Sequence, residues 1–495
     1  MEGAQGGSAS SNQLKNILKQ RQLSMISLGG VIGAGLFVGS SAIINQAGPL
    51  TFVTYALAGL LILFVMRMLG EMAAAKPSSG SFTDYARLAM GNWAGFSTGW
   101  LYWYFWVIIV GFEAVVGGQI IHKWIPVLPV WLIALGLLMV MTGLNLLSVS
   151  NFGEVEYWFA SLKVYVIIAF IIAASVYVLG LWPGRGPDGP DFSNLHAYGG
   201  LTPQGAAALL AGVVVVITSM TGAEVVTIAA AESSEPARAI GRAVNSVVFR
   251  VLAFFVVSTF LIVVVVPWDQ IVPGDSPFVT ALEVMGFPMA ARFLDVVILV
   301  TVLSVLNTGL YTSSRVLLGL GRSGDAPKFM TGINQRGVPA QGVLSCTAVG
   351  YVCIFLAAMF PDTIFVFLLN AAGAITLFVY LMICVSELIL RRRWQREAPE
   401  LLRFKMWLYP VLPILVTLSI IGILVMMGLR PGNRIELLQG IAVWAVLSAI
   451  YFVKSRRYKG HCALDPDICQ EQTRRPPADA PSDRPTAPLG SGPTA

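Results

Sequence analysis

Apolar runs long enough to cross a lipid bilayer recur along the whole chain, and they limit its possible folds more than any other feature. Each run holds about 20 mostly apolar residues, the length that an α-helix needs to span the hydrocarbon core. Because lipid offers the backbone no hydrogen bonds, non-alternating runs of this length must be helical. In addition, only 12% of the 495 residues are charged, about half the fraction typical of soluble domains. We therefore predict an all-α membrane protein.

Twelve transmembrane helices are predicted from these runs and the residues that interrupt them. Their approximate bounds are 24–46, 50–74, 93–121, 129–147, 154–181, 205–230, 243–266, 287–312, 341–360, 363–389, 407–429 and 437–455. Most of the 32 Lys and Arg residues fall in alternate connecting segments, and such residues mark the cytoplasmic side. Both termini are therefore expected in the cytoplasm. The net charge of +6 reflects this topology, and it is no argument for nucleic acid binding.

The two ends of the chain differ in composition from the membrane domain, predicted over residues 14–460. Residues 1–13 are small and polar, and residues 461–495 are rich in Pro, Asp, Arg and Ser. Such segments bury too little apolar surface to fold, so both are predicted to be disordered. The first apolar run is longer than a signal-peptide core, so it is expected to stay in the mature protein.

Few residues suited to metal or nucleophilic chemistry lie in the predicted spans. The three histidines, His122, His196 and His461, all fall outside the apolar runs. The spacing of the five cysteines is not that of a zinc site or a disulfide framework. We therefore expect no metal, no cofactor and no enzymatic activity.

The first apolar run is interrupted by glycines at positions 29, 30, 33 and 35. Glycine is costly inside a helix, but it is tolerated where the backbone unwinds or approaches another group closely. Close helix packing is the simpler explanation for Gly29 and Gly33, whereas Gly33, Ala34 and Gly35 together favour an unwound segment. Leu36 would then begin a half-helix whose free N–H groups and positive dipole end bind a carboxylate.

The sixth run is interrupted at the corresponding place in the second half of the chain. The segment 218–224, TSMTGAE, follows the apolar run 206–217. Carbonyl groups freed at the end of the first half-helix would accept hydrogen bonds from an ammonium group. Paired interruptions of this kind are typical of transporter substrate sites, and here they open two five-span units, about 24–181 and 205–389. A carboxylate site opposite an ammonium site predicts a small zwitterionic substrate.

Several charged residues lie within the predicted spans. Lys163 is more than two turns into the fifth span, where it either snorkels to the cytoplasmic surface or acts as a buried, titrating cation in place of a coupling ion. Glu224 closes the sixth-span interruption, which favours a functional role. Glu113 faces either the cavity or a partner side chain. Snorkelling near the cytoplasmic face explains Glu71.

Other groups have simpler explanations in the sequence. Glu154 and Glu156 mark the start of the fifth span, although one of them could pair with Lys163. Arg391 to Arg393 are interpreted as a topological stop rather than a lipid headgroup site. The aromatic segment 100–106 is typical of an interfacial belt, and some of its side chains could also line the substrate route.

Three segments resemble the amino acid–polyamine–organocation superfamily, in its bacterial amino acid permease branch. Residues 27–39, SLGGVIGAGLFVG, are similar to the branch's first-span signature, and residues 307–339 to its amphipathic loop after the eighth span. Within the branch, LYWYFWV at 101–107 and GAEVVTIAAAES at 222–233 most resemble 4-aminobutyrate (GABA) permeases. Aromatic, proline and alanine/serine/glycine permeases share much of the likeness, which covers about residues 15–455.

This resemblance implies a leucine-transporter-like fold: a 5+5 inverted repeat with broken helices 1 and 6, and two extra helices at about 407–455. It also implies uptake by alternating access, driven by a proton gradient. Lys163 matches the fifth-span lysine that occupies a sodium site in sodium-coupled relatives. Its expected neighbours are carbonyls near Gly29 and Ile32 and the polar groups of Ser304 and Thr308. Glu224 matches a sixth-span glutamate implicated in coupling or gating.

Together these patterns predict a proton-coupled symporter in the inner membrane for a small zwitterionic amino acid, with GABA the first choice. The predicted substrate-binding residues are Ile32, Gly33, Ala34, Gly35, Leu36, Ile217, Thr218, Met220 and Gly222. Met220 stands where the family usually has an aromatic lid, which leaves the substrate open. The alternatives are a permease or exchanger for proline, alanine/serine/glycine or aromatic amino acids, and a membrane nutrient sensor with the same pocket.

Overall fold

The structure, a computed structural model, describes residues 25, 30–78, 80–147, 149–181, 192–230, 252–402 and 404–457. The segments predicted to be disordered lie outside these residues, as does Gly29. The described residues form helices and short turns, with no strand. The helices are α1 (Ala34–Phe37), α2 (Ser40–Ala47), α3 (Thr51–Ala75), α4 (Phe82–Met90), α5 (Asn92–Trp124), α6 (Val130–Leu147), α7 (Val149–Val178), α8 (Ala206–Ser219), α9 (Val225–Ala230), α10 (Leu252–Val265), α11 (Pro277–Val284), α12 (Pro288–Arg322), α13 (Ala340–Met359), α14 (Pro361–Glu397), α15 (Val411–Leu429) and α16 (Pro431–Arg457).

The predicted all-α membrane class is confirmed. Nine stretches of the described residues are helical, long and apolar enough to cross a bilayer. Most predicted spans correspond to one long helix, whereas the first and sixth are each divided into shorter pieces. The seventh helix is described only from residue 252, so the total of twelve spans stays a prediction.

Helix α5 lies at the centre of the bundle and packs against α12, α14, α6, α4 and α13. Its most apolar stretch is 67% buried inside the protein, against 6% for α16. The two helices are almost equally apolar, so the apolar side chains exposed on α16 are expected to face lipid. Helix α5 also contacts the divided sixth span, where the hydroxyl of Tyr102 donates a hydrogen bond to Glu224.

Glu71 and Arg391 form a buried ion pair between α3 and α14. Glu71 is only 1% exposed, and it also accepts a hydrogen bond from the backbone N–H of Met406. The guanidinium group of Arg391 lies 4.6 Å from the ring centre of Tyr409. The snorkelling explanation for Glu71 is therefore wrong, because its charge is neutralised inside the protein, the usual condition for burying an ion.

Candidate functional site

The first span is divided at residues 32 and 33. Residues 30 and 31 are helical, Ile32 and Gly33 are not, and α1 begins at Ala34. The backbone of Gly33 is extended, with φ −118° and ψ −168°, so the helical hydrogen-bond ladder stops there. Helix α1 runs only to Phe37, and α2 follows from Ser40. The predicted interruption is confirmed. However, the non-helical residues are Ile32 and Gly33, whereas Ala34 and Gly35 are helical and α1 begins two residues before Leu36.

The sixth span is also divided, and its division lies against the first. Helix α8 ends at Ser219 and α9 begins at Val225. Between them Gly222 has φ +120°, and a Cβ atom there would lie 2.3 Å from the carbonyl oxygen of Gly30. A Cβ atom on Gly35 would lie 2.6 Å from Cβ of Ser219. Glycine is therefore required at both points for the two divided helices to meet.

A cavity of about 160 Å³ lies beside both divided helices. An engineered cavity of about 150 Å³ in another protein holds benzene, so this space suits a small amino acid. Its walls come from the divided spans and from α5, α12, α14 and α16. Its lining residues include Gly30, Gly33, Gly35, Phe105, Trp106, Phe112, Glu113, Val215, Thr218, Ser219, Thr221, Val305, Gly373 and Glu436.

Three of the nine predicted substrate-binding residues, Gly33, Gly35 and Thr218, line this cavity. The other six, Ile32, Ala34, Leu36, Ile217, Met220 and Gly222, lie next to its lining residues in the chain. Met220 is 1% exposed, and its Cε atom would be 3.4 Å from a Cβ atom on Gly59. Its side chain therefore packs towards α3, and in this conformation it is not a lid over the cavity.

The carbonyl groups at the end of α8 already accept hydrogen bonds. The Ile217 oxygen accepts from the backbone N–H of Met220 at 3.2 Å and from the hydroxyl of Thr221 at 3.0 Å. The Thr218 oxygen accepts from the backbone N–H of Thr221 at 3.3 Å. Because a carbonyl oxygen has two lone pairs, Ile217 has no acceptor position left for a substrate ammonium group here.

Glu113 lies at the start of α1, where the substrate carboxylate was expected. Its carboxylate interacts with the backbone N–H of Ala34, and Oε1 would be 3.6 Å from a Cβ atom on Gly33. The side chain is 4% exposed, and Oε2 has no hydrogen-bond partner in the part of the chain that the structure describes. In this conformation the carboxylate of Glu113 therefore occupies the positive end of α1.

Lys163 is fully buried, with 0% exposure, so snorkelling does not explain it. Its Nζ atom donates a hydrogen bond of 2.8 Å to the carbonyl oxygen of Ile32, inside the first-span interruption. The carboxylates of Glu156 and Glu113 also interact with it electrostatically. The structure therefore brings together the unwound backbone, one cation and two acids.

Glu156 belongs to this group rather than to the surface at the start of the fifth span. It is 0% exposed and accepts hydrogen bonds from Ser304 Oγ and, at 3.3 Å, from Asn307 Nδ2. Asn307 Oδ1 in turn accepts from Asn145 Nδ2 at 2.8 Å. Thr308, on the same helix, packs against Gly30.

Sequence reasoning missed both asparagines, Asn145 and Asn307, although an amide inside an apolar run is itself a signal of a buried polar network.

Glu224 is also fully buried, and it joins three helices. It accepts hydrogen bonds from the hydroxyls of Tyr102 on α5, at 2.9 Å, and Tyr380 on α14, at 3.2 Å. Both of its oxygens lie 3.2 Å from the backbone nitrogen of Gly222. Tyr380 was missed, although a tyrosine in an apolar run usually has a hydrogen-bond partner. The aromatic segment 100–106 is thus more than an interfacial belt.

Comparison with known proteins agrees with this architecture. The family model described as amino acid permease matches residues 22–464. A gamma-aminobutyric acid permease of Bacillus subtilis (strain 168) is 46% identical over 94% of this chain and 98% of its own length. That of Escherichia coli (strain K12) is 43% identical, over 88% and 92%.

A solved structure of a nucleobase-cation-symport-1 family transporter, in a closed conformation, also matches. It covers 94% of this chain and 99% of its own, with a TM-score of 0.55 at 15% identity. A likeness at this identity concerns the fold alone, and it confirms the predicted leucine-transporter-like fold. The family model and the two permeases show that the chain belongs to the amino acid permease family and is a multi-pass membrane transporter rather than an enzyme.

Proposed function

We propose that this protein takes up GABA together with protons across the cytoplasmic membrane, by alternating access. The substrate proposal is supported by the names of relatives that are 46% and 43% identical over nearly the whole chain. The cavity of about 160 Å³ beside the two divided helices supports it as well. The distribution of Lys and Arg supports an orientation with both termini in the cytoplasm.

Proton coupling rests chiefly on the hydrogen bond from Lys163 to the Ile32 carbonyl, 2.8 Å long. A fully buried ammonium group is costly unless it is paired, and here its partners are unwound backbone and the two acids Glu113 and Glu156. When Lys163 gives up its proton, the attraction that holds the first-span interruption weakens. The helices on either side are then free to move, so that proton transfer is tied to opening and closing.

Glu113 connects substrate binding to the loss of the proton by Lys163. Its carboxylate faces the start of α1, where the substrate carboxylate is expected to bind. Two carboxylates cannot share one half-helix end without repulsion. Substrate entry therefore requires Glu113 to take up a proton or to move towards Lys163, which couples occupancy to the charge of the lysine.

Uptake into proteoliposomes under an imposed pH gradient tests this proposal. Labelled GABA, proline, alanine and phenylalanine are compared, with and without a protonophore. We expect GABA to accumulate above the outside concentration and the protonophore to abolish the gradient. Counterflow of GABA without accumulation would instead identify an exchanger. Binding without any transport would identify a sensor, and accumulation of another amino acid in place of GABA would overturn the substrate.

A further inference from the structure

Glu436 is an acidic residue that enters the central cavity from a helix at the edge of the bundle. It lies near the start of α16, whose most apolar stretch is only 6% buried. Nonetheless Glu436 lines the same cavity as Gly33 and Gly35 of the first span. The predicted extra helices lie outside the inverted repeat, so nothing in the repeat itself leads us to expect a cavity residue here.

Gly373 on α14 lets this side chain reach the cavity. A Cβ atom at position 373 would lie 3.4 Å from Oε2 of Glu436 and 3.5 Å from Oγ1 of Thr218. The carboxylate of α16 and the hydroxyl of α8 thus lie on either side of a position where α14 has no side chain. A larger residue there would separate Glu436 from the cavity.

The carboxylate has no partner in the described parts of the chain, where no hydrogen bond or ion pair to Glu436 occurs. Arg434, the nearest arginine along the helix, instead donates its Nε–H to the carbonyl oxygen of Gly428 at 3.0 Å. Glu436 is partly buried, and a carboxylate that is taken out of water without a partner is costly. A cationic ligand would satisfy Glu436.

Besides Glu436, the described residues that line the cavity include one other carboxylate, Glu113, which faces the start of α1. The Ile217 carbonyl already accepts two hydrogen bonds, and many of the lining side chains are apolar or absent. A carboxylate is also a stronger acceptor for an ammonium group than a carbonyl oxygen. Gly35 lies against Ser219, whereas Glu436 lies across Gly373 from Thr218. Glu436 thus lies across Gly373 from the end of α8, and it belongs to a different helix from Glu113, which faces the start of α1.

The charged ends of the proposed substrate, GABA, lie further apart than those of an α-amino acid. An α-amino acid carries its ammonium group one carbon from its carboxylate, whereas an ω-amino acid places several methylene groups between them. Several apolar side chains also line the cavity, and they suit such methylene groups. We propose that Glu436 binds the ω-ammonium group of the substrate. This inference rests on the proposed function.

The test compares Glu436→Gln with the wild type in proteoliposome uptake of labelled GABA. Glu283→Gln, which removes an exposed carboxylate, is the matched control. We expect Glu436→Gln to raise KM for GABA about tenfold or more, as the loss of a charged hydrogen-bond partner does. Inhibition by butyrate, which lacks the ammonium group, should be unchanged. Equal KM values in the wild type and Glu436→Gln would overturn the inference, while GABA transport itself would stand.

Glu436→Asp provides a second readout that a merely structural role would not give. It withdraws the carboxylate by one methylene group, so it should shift preference from GABA towards 5-aminopentanoate, which is one carbon longer. Gly373→Leu should weaken GABA uptake as Glu436→Gln does, whereas Gly373→Ala should be tolerated. An unchanged preference in Glu436→Asp would contradict the inference. Failure of the wild type to transport GABA would overturn both the inference and the proposed function.

Discussion

The ammonium group of Lys163 donates a hydrogen bond of 2.8 Å to the carbonyl oxygen of Ile32, at the point where the first span stops being helical. Inside a continuous α-helix that carbonyl would accept a backbone N–H group instead. The interruption frees the acceptor, and the lysine on α7 uses it. The charge of one side chain therefore acts directly on the backbone beside the cavity.

Replacing Lys163 by Met should abolish proton-driven accumulation of substrate while leaving the fold intact. The substitution keeps the length of the side chain but removes the titrating group and the hydrogen bond to Ile32. Internal substrate in proteoliposomes should then rise only to the external concentration, and counterflow should persist. Lys123→Met, at an exposed position, is the control. Wild-type accumulation in Lys163→Met would disprove the proposed role.

Replacing Gly35 by Ala should separate the two divided helices and impair uptake. The new methyl group would lie 2.6 Å from Cβ of Ser219 and 2.9 Å from its Cα. Overpacking of this kind costs about 1–3 kcal/mol. Because the clash lies beside the cavity, it should distort the substrate site and raise KM for the substrate. Gly136→Ala, where nothing lies within 4 Å of the added atom, should transport normally. A normal KM in Gly35→Ala would contradict the observed contact.

Replacing Tyr102 or Tyr380 by Phe should destabilise the protein and slow transport. Each change removes a hydrogen bond to the buried carboxylate of Glu224, which is worth about 1.5–3 kcal/mol for a charged acceptor. Because both tyrosines share that carboxylate, the double variant should depart from additivity. Thermal unfolding in detergent and initial uptake rates measure the two effects. Tyr165→Phe, with its side chain 71% exposed, should change neither, and additive losses in the double variant would argue against a shared site.

Replacing Arg391 by Ala should lower the stability of the fold. The change leaves Glu71 buried without its cation, and breaking a buried pair costs about 3–5 kcal/mol. The matched control is Arg393→Ala, whose pair with Glu397 is 32% and 58% exposed and is expected to contribute less than about 1 kcal/mol. Thermal unfolding of the purified variants decides between them. Equal losses in both variants would show that the Glu71 pair is no more important than a surface pair.

Local pattern was enough to predict the membrane class and the positions of the two interruptions. Apolar length decides which segments enter lipid, because only helices satisfy the backbone there. The glycines around positions 33 and 222 interrupt apolar runs, and this can be seen in the sequence without the structure. Family likeness then indicated a carrier of amino acids, and the comparisons confirmed the family.

Partners of buried charges could not be predicted in the same way. Glu71 lies near a span end in the sequence, so the surface was the natural explanation for it. For Glu156 the surface and a pairing with Lys163 both stayed open. In the structure Glu156 meets Ser304 and Asn307, and Glu71 meets Arg391, 320 residues away. A hydropathy pattern shows that a charged residue lies within an apolar span. It carries no information about which side chain, far away in the chain, contacts that residue in the fold.

The sequence by itself therefore determined that this chain is a bundle of membrane helices with two interrupted spans. Run length, apolarity and the backbone freedom of glycine are local properties, so they can be read from short segments. Only the tertiary structure decided what surrounds the two interruptions. It buried Glu156 near Lys163, turned the Met220 side chain away from the cavity, and brought Glu436 from the edge of the bundle past Gly373 into the cavity wall. These placements depend on how helices far apart in the chain pack against one another, and that packing is a property of the whole fold.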